Sequence, residues 1–383
     1  MKLVAYSERE YKKQEKIPDM NNNQISKLHV SGFKSIKDAT IWFRDVNVFI
    51  GANGSGKSNL VSLFTLLQNI TDKRLVHYIN SHGGLNAFLY NGIKATQAID
   101  VEFLFGNNGY GFQLKPGQNG SAVFEKEWFY WNDTNSRHQI KSGQTESQWD
   151  IGTGAGIDDY VQPILEKHKW RVYHFHDAGE TSIIKQQCPI NDNMALGVNA
   201  HNIAAFLFRL QKTDEISYKN IVRTIRLVAP FFNDFNLRPN PLNEEMISLE
   251  WTTQNSDTPF SAAQLSDGTL RFICLVCLLM QPPSLRPETI VIDEPELGLH
   301  PAAISVLAGM VRSASNHSQL ILSTQSVELL NEFEPEDIVV VDRVDGASVF
   351  NRLEAEKLKE WLDDDYSLGD LWKKNLFGGR PSR

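Results

Sequence analysis

Residues 51–58 read GANGSGKS, and this glycine-rich stretch decides the predicted fold. It matches the pattern G-x-x-x-x-G-K-[ST] and follows the apolar run VNVFI, residues 46–50, which predicts a buried strand. An amphipathic helix is predicted directly after it. Glycines let backbone N–H groups close around phosphate oxygens, and a helix N-terminus adds the positive end of its dipole. The stretch therefore predicts a phosphate-binding loop, and a glycine-rich turn without a ligand is the less favoured alternative.

The same loop carries the groups that a nucleoside triphosphate and its metal would need. Lys57 is expected to reach the β and γ phosphates of ATP, and the Ser58 hydroxyl is expected to ligate Mg²⁺. The other residues of the loop expected to contact the nucleotide are Gly51, Asn53, Gly54, Ser55, Gly56 and Asn59.

A second segment, TIVIDEPELGLHP at residues 289–301, ends an apolar strand in two adjacent acids. Neighbouring carboxylates repel each other, and a bound cation would explain their presence. Asp293 is expected to hold Mg²⁺ directly or through water, and Glu294 is expected to polarise the attacking water as a general base. Phosphoryl transfer needs mainly positioning and charge compensation, so these few groups can suffice for ATP hydrolysis.

Several segments resemble ABC-type ATPases of the RecF/SMC-like group. ISKLHVSGFKSIKD followed by VNVFIGANGSGKSNL is similar to the N-terminal half of that group, LSDGTLR (265–271) to its signature motif, and IVIDEPELGLHP to its Walker B motif and D-loop. YHFHDAG, LSTQSVELLNEFEPEDIVVV and SLGDLWKKNLFGGRP resemble the compact bacterial stand-alone members without a long coiled coil. The resemblance covers roughly residues 25–383 and implies an α/β fold: a P-loop NTPase head of ABC type with a mixed β-sheet core and an inserted α/β lobe.

The resemblance also assigns roles outside the loop. The signature residues Ser266, Asp267 and Gly268 would contact the γ-phosphate held by a second protomer, which implies a homodimer with two ATP molecules between its heads, or a higher oligomer. Without a partner, Ser266 or Asp267 would simply cap the apolar helix that follows. Gln325 stands where hydrolytic relatives often carry a histidine that contacts the γ-phosphate, which suggests a slow, switch-like ATPase.

The order of predicted elements suggests four regions. Residues 1–22 form a flexible tail, residues 23–107 the N-terminal part of the head, residues 108–245 the inserted lobe and residues 246–383 the C-terminal part of the head. Alternating patterns predict strands in 25–43 and 98–130, and helical periods dominate from about 158 to 232. The last third alternates helix and strand, which is typical of a mainly parallel sheet.

Composition narrows the class of protein. The 383 residues are 41% hydrophobic and 22% charged, with a net charge of −8, which is ordinary for a globular protein and excludes uniform attraction to nucleic acid. A local basic groove stays open. No apolar stretch reaches the roughly 18 residues that span a bilayer, and the start shows no secretory signal pattern, so a cytoplasmic protein without membrane contact is expected.

Weaker signals favour packing over chemistry. Cys274 and Cys277 form a C-x-x-C inside an apolar helix and are predicted to be buried. His174, His176 and Asp177 suggest a metal pair but specify no further ligand. The remaining candidates are Lys219, Arg223 and Arg226 as a basic stripe for DNA, Lys34 near the nucleotide, Gln97 as the metal-coupling glutamine of the family, and Trp128, Trp131, Trp361 and Trp372 as packing residues.

Three functions stay open at this point. The favoured one is a Mg-dependent ATPase switch that controls a separate, nuclease-like effector in anti-phage defence, since the chain shows no nuclease motif of its own. The second is a RecF-like repair ATPase that clamps DNA. The third is a scaffold that binds ATP and scarcely hydrolyses it.

Overall fold

Two six-stranded β-sheets organise the protein. The computed structural model describes residues 24–130, 137–140, 142–150, 165, 170–254, 256–363 and 366–379. The predicted tail, residues 1–22, lies outside them. The fold is the predicted mixed α/β architecture, with α-helices on both faces of its second sheet.

The N-terminal sheet is antiparallel, with strand order β2-β1-β4-β5-β6-β7. Burial alternates along its strands, for instance at every second residue of IDVEFLF in β4, because one face covers the core. Its strands are β1 (Lys27–Phe33), β2 (Ile36–Trp42), β4 (Ile99–Phe105), β5 (Asn108–Pro116), β6 (Ala122–Tyr130) and β7 (His138–Gln139).

The second sheet has the order β18-β17-β3-β16-β15-β8. Its pairs are parallel except for the hairpin β17–β18. All five residues of β3 are buried, as expected for a parallel strand covered on both faces. Its strands are β3 (Val46–Ile50), β8 (Trp170–Tyr173), β15 (Thr289–Asp293), β16 (Gln319–Thr324), β17 (Ile338–Val344) and β18 (Ala347–Arg352).

Helices fill the space around the second sheet. The first helix, α1 (Lys57–Thr71), packs between the two sheets, where Leu63 and Phe64 are buried. The opposite face is covered by further helices, and Cys274 and Cys277 are buried there as predicted. The other helices are α2 (Leu75–Ser81), α3 (Ile203–Thr213), α4 (Glu215–Val228), α5 (Asp267–Met280), α6 (Pro301–Ala314), α7 (Val327–Leu330), α8 (Ala355–Asp363) and α9 (Leu368–Lys373). Across the described residues, no helix has the length and apolar character needed to cross a membrane.

The predicted region boundaries cut through sheets. The boundary at 107/108 falls between β4 and β5, which pair from Ile99↔Leu114 to Phe105↔Asn108, so β5, β6 and β7 extend the N-terminal sheet. Within the predicted lobe, β8 joins the edge of the second sheet. Antiparallel neighbours that are joined by a two-residue turn stay in one sheet. The division into four regions stays a prediction.

The helical prediction for 158–232 holds for α3 and α4 but not for β8 and β9 (Cys188–Pro189). Residues 158–164 and 166–169 lie outside the described part. Two three-stranded sheets in the described part of the chain run from the predicted lobe into the region predicted as the C-terminal part of the head. One has the order β11-β12-β9, with β11 (Pro239–Asn240) and β12 (Asn243–Ile247). The other has the order β10-β13-β14, with β10 (Phe232–Phe235), β13 (Glu250–Thr253) and β14 (Ser256–Ser261).

Candidate nucleotide-binding site

The glycine-rich loop connects β3 to α1 and is closed by two glycines in the left-handed region. Gly54 has φ +80° and Gly56 has φ +117°, a conformation that glycine adopts without steric cost. A Cβ at Gly56 would lie 2.0 Å from Ser348 Oγ, so only glycine fits. Gly56 also precedes α1 without any side-chain cap. The first N–H groups of the helix are therefore available to an anion.

Lys57 is buried at this helix start, with only 5% of its surface exposed. Its Nζ donates to the carbonyl oxygens of Gly51, at 2.6 Å, and Ala52, at 3.1 Å. Burial lowers the pKa of Lys57, and the nearby carboxylates of Glu294, Asp293 and Glu296 oppose that shift. The ammonium therefore bonds to the loop and is close enough to the acids to interact with their charge.

Three serines and an asparagine hold the loop against the neighbouring strands. Ser348 Oγ donates to the carbonyl of Ser55 at 2.6 Å and lies 2.7 Å from Ser35 Oγ. Asn59 Nδ2 donates to Ser35 Oγ at 2.6 Å, so this predicted nucleotide contact supports the turn between β1 and β2. Gly51 is tightly packed, since a Cβ there would lie 2.2 Å from the Val341 carbonyl.

Other loop atoms stay free for a ligand. Asn53, Gly54 and Ser58 are exposed. The hydroxyl of Ser55 is buried and has no hydrogen-bond partner among the described residues. A ligand held by the loop could supply that partner.

The two acids lie at the carboxyl end of β15, beside the end of β16. The parallel register pairs Asp293 with Ser323, and the backbone N–H of Glu294 donates to the Ser323 carbonyl at 2.7 Å. Glu294 has φ +42°, an uncommon value for a residue with a side chain that often marks functional sites. Gln325 Nε2 donates to Glu294 Oε1 at 2.5 Å. The structure thus joins two predicted catalytic residues that lie 31 positions apart.

The oxygen donors suit Mg²⁺, which prefers carboxylate, hydroxyl and phosphate oxygens. Ser58 offers an exposed hydroxyl in the first turn of α1, and α1 packs on β15, which carries Asp293. The hydroxyl of Ser323, opposite Asp293, is buried without a partner among the described residues. This chemistry fits a magnesium ion held by Ser58 and Asp293.

Glu296 escaped the sequence prediction, and His174 was predicted only as a member of a metal pair. Glu296 packs its carboxylate against the end of β16, where Oε1 accepts from Thr324 Oγ1. Burial raises the pKa of Glu296. His174 follows β8, whose register places Tyr173 beside Ile292, so His174 neighbours Asp293 at the same sheet edge. Burial lowers the pKa of His174, although its ring stays partly exposed, and Asp293 opposes the shift. The stretch DEPE (293–296) contains a further acid that could have suggested Glu296. No local pattern predicts that β8 pairs with β15.

The two weakest site candidates find no support in the geometry. The described residues contain no group of three or more histidine, cysteine or acidic side chains that could hold a metal ion, so the pair His174 and His176 packs without such a cluster. Gln97 is exposed just before β4, in the N-terminal sheet, and it stays a prediction.

The signature residues lie at the exposed start of α5. Ser266 caps this helix, since its Oγ accepts from the backbone N–H of Thr269 at 3.2 Å. Asp267 pairs with Lys185 Nζ at 3.3 Å. A Cβ on Gly268 would lie 2.3 Å from the Gly298 carbonyl. These neighbours differ from those of the glycine-rich loop, so the two motifs occupy separate surroundings in one chain.

The predicted basic stripe is largely engaged in contacts within the chain. Lys219 pairs with Glu215 at 2.7 Å, and Arg226 donates through Nε to the Asn233 carbonyl at 2.7 Å. Arg223 is exposed. The stripe therefore presents fewer free cations than its sequence suggested.

The remaining candidates from the sequence are Lys34 and four tryptophans, which differ in their surroundings. Lys34 Nζ donates to Ser62 Oγ of α1 at 2.6 Å, and burial lowers its pKa. Trp128 is buried, Trp372 is partly buried and Trp361 is exposed beside Tyr366. Trp131 lies outside the described residues.

Known proteins resemble this chain in family and in fold. A family model described as "AAA domain, putative AbiEii toxin, Type IV TA system" matches residues 46–331. The Old nuclease of Escherichia phage P2 is 21% identical and is matched over 88% of this chain and 62% of its own length. The chain thus spans about three fifths of that relative.

Solved structures share the fold. An SmcHead bound to the C-winged helix domain of ScpA matches with a TM-score of 0.60 at 19% identity, covering 88% of this chain and 99% of that one. An Smc head domain with an extended coiled coil, bound to the C-terminal domain of ScpA and derived from Pyrococcus furiosus, matches with a TM-score of 0.58 at 15% identity, covering 89% and 99%. The predicted head fold of the RecF/SMC-like group is therefore confirmed.

Proposed function

Because the chain belongs to the AAA-domain family described as putative AbiEii toxin of type IV toxin–antitoxin systems, and has the fold of an SMC-type ATPase head, we propose that it is a Mg-dependent ATP hydrolase that acts as a dimeric switch. Two heads would enclose two ATP molecules. Binding and hydrolysis of ATP would then control a separate effector.

The observation that supports this proposal best is the burial of Lys57 opposite three carboxylates. A lysine ammonium is costly to bury, and here burial lowers its pKa while Glu294, Asp293 and Glu296 raise it. A lysine at the protein surface stays hydrated and needs no nearby carboxylates. A triphosphate held at the start of α1 would meet Lys57, and its metal would offset the charge of the acids.

The residues of the chain divide the reaction between them. The N–H groups at the start of α1 and the Lys57 ammonium bind the phosphates and compensate their charge. Glu294 takes the proton of the attacking water, and the Gln325 amide, 2.5 Å from Glu294 Oε1, orients that carboxylate. Mg²⁺, when held by Ser58 and Asp293, supplies further charge compensation.

The exposed signature supports a composite site. Ser266 and Asp267 are exposed and face no part of the chain's own loop in the contacts described above. The start of α5 combines an exposed hydroxyl with a helix N-terminus, which suits a phosphate held by a second copy. We therefore assign Ser266, Asp267 and Gly268 to the nucleotide of the partner protomer.

The effector is inferred from the relative. The Old nuclease is named for a nuclease activity and is longer than the part that this chain matches. This supports control of a nuclease-like effector by an ATPase head, as in an anti-phage system. A DNA clamp has less support, because Lys219 and Arg226 are engaged within the chain.

The test compares ATP hydrolysis by the wild type and by Glu294→Gln. The variant should keep ATP binding, since the Glu294 side chain bonds Gln325 and lies outside the glycine-rich loop. It should lose about 10²–10⁴-fold in rate with its base removed. Equal rates would exclude Glu294 as the base. A wild type that binds ATP without hydrolysing it would favour the scaffold function.

A further inference from the structure

We propose that Glu296 is a positioning residue that fixes the end of β16 so that Gln325 meets Glu294. The proposal rests on the proposed ATP hydrolysis, and it adds a residue that acts through others and not on the substrate itself. Glu296 lies two positions after the proposed base, yet its contacts are with the neighbouring strand and its loop.

The contacts of Glu296 lie at the backbone turn that ends β16, residues 324–326. Its Oε1 accepts from the hydroxyl of Thr324, the last residue of β16, and from the backbone N–H of Gln325 at 3.4 Å. The same hydroxyl accepts from the backbone N–H of Ser326 at 2.9 Å. One carboxylate oxygen thus accepts from the Gln325 backbone directly and reaches the Ser326 backbone through the Thr324 hydroxyl.

This anchor determines where the Gln325 side chain can reach. A glutamine has three rotatable side-chain bonds, and ordering it in one rotamer costs conformational entropy. With its backbone held by Glu296, its Nε2 needs only a local adjustment to lie 2.5 Å from Glu294 Oε1. Glu296 and Glu294 therefore clamp the two ends of one residue, the backbone and the amide of Gln325.

Its surroundings distinguish Glu296 from a surface acid. Its Oε2 is buried and has no hydrogen-bond partner among the described residues. Burial also raises the pKa of Glu296, and Glu294 adds to that shift. A glutamine side chain has the same shape and would keep the acceptor for Thr324.

The experiment measures the turnover number and the ATP dissociation constant of four variants. Glu296→Ala removes the anchor and should lower turnover by about ten- to a hundredfold, the scale of a misplaced catalytic group, with ATP affinity unchanged. Glu296→Gln should restore most of the rate. Thr324→Val removes the partner hydroxyl, and the double variant Glu296→Ala with Thr324→Val should be no slower than Glu296→Ala alone.

A second readout does not depend on turnover. With ¹⁵N-labelled glutamine, the side-chain amide signal of Gln325 is assigned by its loss in Gln325→Ala. Glu294→Ala should shift this signal, because the short bond to a carboxylate is removed, and Glu296→Ala should shift it in the same direction. The control is Glu354→Ala, since Glu354 is exposed and pairs with Lys357 at the surface; it should change neither readout.

The outcomes separate the two proposals. If the wild type binds ATP but does not hydrolyse it, the proposed function fails, and the amide signal still decides the role of Glu296. Weaker ATP binding in Glu296→Ala would show a structural role in the loop and overturn the proposal. An unchanged Gln325 signal in Glu296→Ala would overturn it as well.

Discussion

At the residue scale, the Lys57 ammonium is expected to provide most of the protein's positive charge for phosphate binding. Its ammonium is held by two backbone carbonyls of the loop, although burial lowers its pKa. Such a group gains most from a multiply charged anion, because charge-assisted hydrogen bonds in a partly buried place are stronger than those at the surface.

The first prediction follows from this charge. Lys57→Ala should abolish ATP binding in a calorimetric titration, since the triphosphate loses its main protein cation while the acids remain. Lys115→Ala is the control, because Lys115 pairs with Glu125 at the surface of the N-terminal sheet. Equal ATP affinity in Lys57→Ala and the wild type would remove the assignment of the loop.

The second prediction concerns pH and Glu127, which is 0% exposed in β6. Burial raises the pKa of Glu127, although hydrogen bonds from Ser147, Tyr110 and the backbone of Gln148 act in the opposite direction. The folded protein then holds this proton more tightly than the unfolded chain. Its contribution to stability is complete below the ordinary pKa of glutamate and is lost as the pH rises through the folded pKa.

Urea unfolding of the wild type and Glu127→Gln between pH 4 and pH 8 measures this contribution. The free energy of unfolding of the wild type should fall relative to the variant as the pH rises, because the folded protein holds the Glu127 proton more tightly than the unfolded chain. Glu125→Gln, at an exposed position of the same strand, should leave the pH dependence as it is. A parallel pH dependence in the wild type and Glu127→Gln would contradict a raised pKa at Glu127.

At the scale of elements, the start of α5 and the loop after β15 are in direct contact. Gly268 approaches Gly298 so closely that a Cβ would lie 2.3 Å from the Gly298 carbonyl. Arg271 Nη1 donates to the carbonyl of Leu297 at 3.0 Å. The proposed signature and the loop that follows Glu294 are thus held together by backbone contact and one arginine.

The third prediction tests this contact. Gly268→Ala should lower the free energy of unfolding by about 1–3 kcal/mol, the cost of overpacking a tight contact. Gly309→Ala is the matched control, because Gly309 is exposed within α6 and a Cβ there meets nothing within 4 Å. It should raise stability by about 0.5–1 kcal/mol through helix propensity. Equal stability of the two variants in thermal or urea unfolding would exclude the close packing.

At the scale of the whole molecule, the proposed dimer would bring together two surfaces of each head, the start of α5 and the glycine-rich loop. The exposed Ser266 at the start of α5 and the glycine-rich loop have different neighbours, so in the proposed dimer each chain would supply one half of each site. Closing two such chains around ATP would complete both halves at once, as a twofold-symmetric contact requires.

The fourth prediction concerns that closure. Glu294→Gln should accumulate as an ATP-bound dimer, measured by light scattering with and without ATP, because hydrolysis is slowed. Adding Ser266→Arg should block the dimer, since a long side chain would occupy the place of the partner's nucleotide, while each chain still binds ATP. If the double variant assembles like Glu294→Gln, Ser266 is only a helix cap. Should the wild type be dimeric without ATP, a distance label across the heads replaces scattering.

The sequence alone determined the local parts of this molecule. The strand VNVFI, the loop through Lys57 and the start of α5 at Ser266 follow from apolar runs, glycines and caps that act within a few residues. The acids at the end of β15 were predictable for the same reason, since an apolar run that ends in Asp293 and Glu294 contains its own evidence. Such signals come from residues that are neighbours in the chain, so the sequence itself contains them.

Only the tertiary structure decided which of these parts meet. The pairing of β8 with β15 places His174 beside Asp293, and the pairing of β15 with β16 brings Gln325 to Glu294. Strand order and register depend on packing between segments that are far apart in the chain, so no local pattern contains them. The enclosure of Glu296 at the end of β16 likewise comes from the tertiary structure, because acidic side chains are mostly exposed and the local sequence does not show which one is buried.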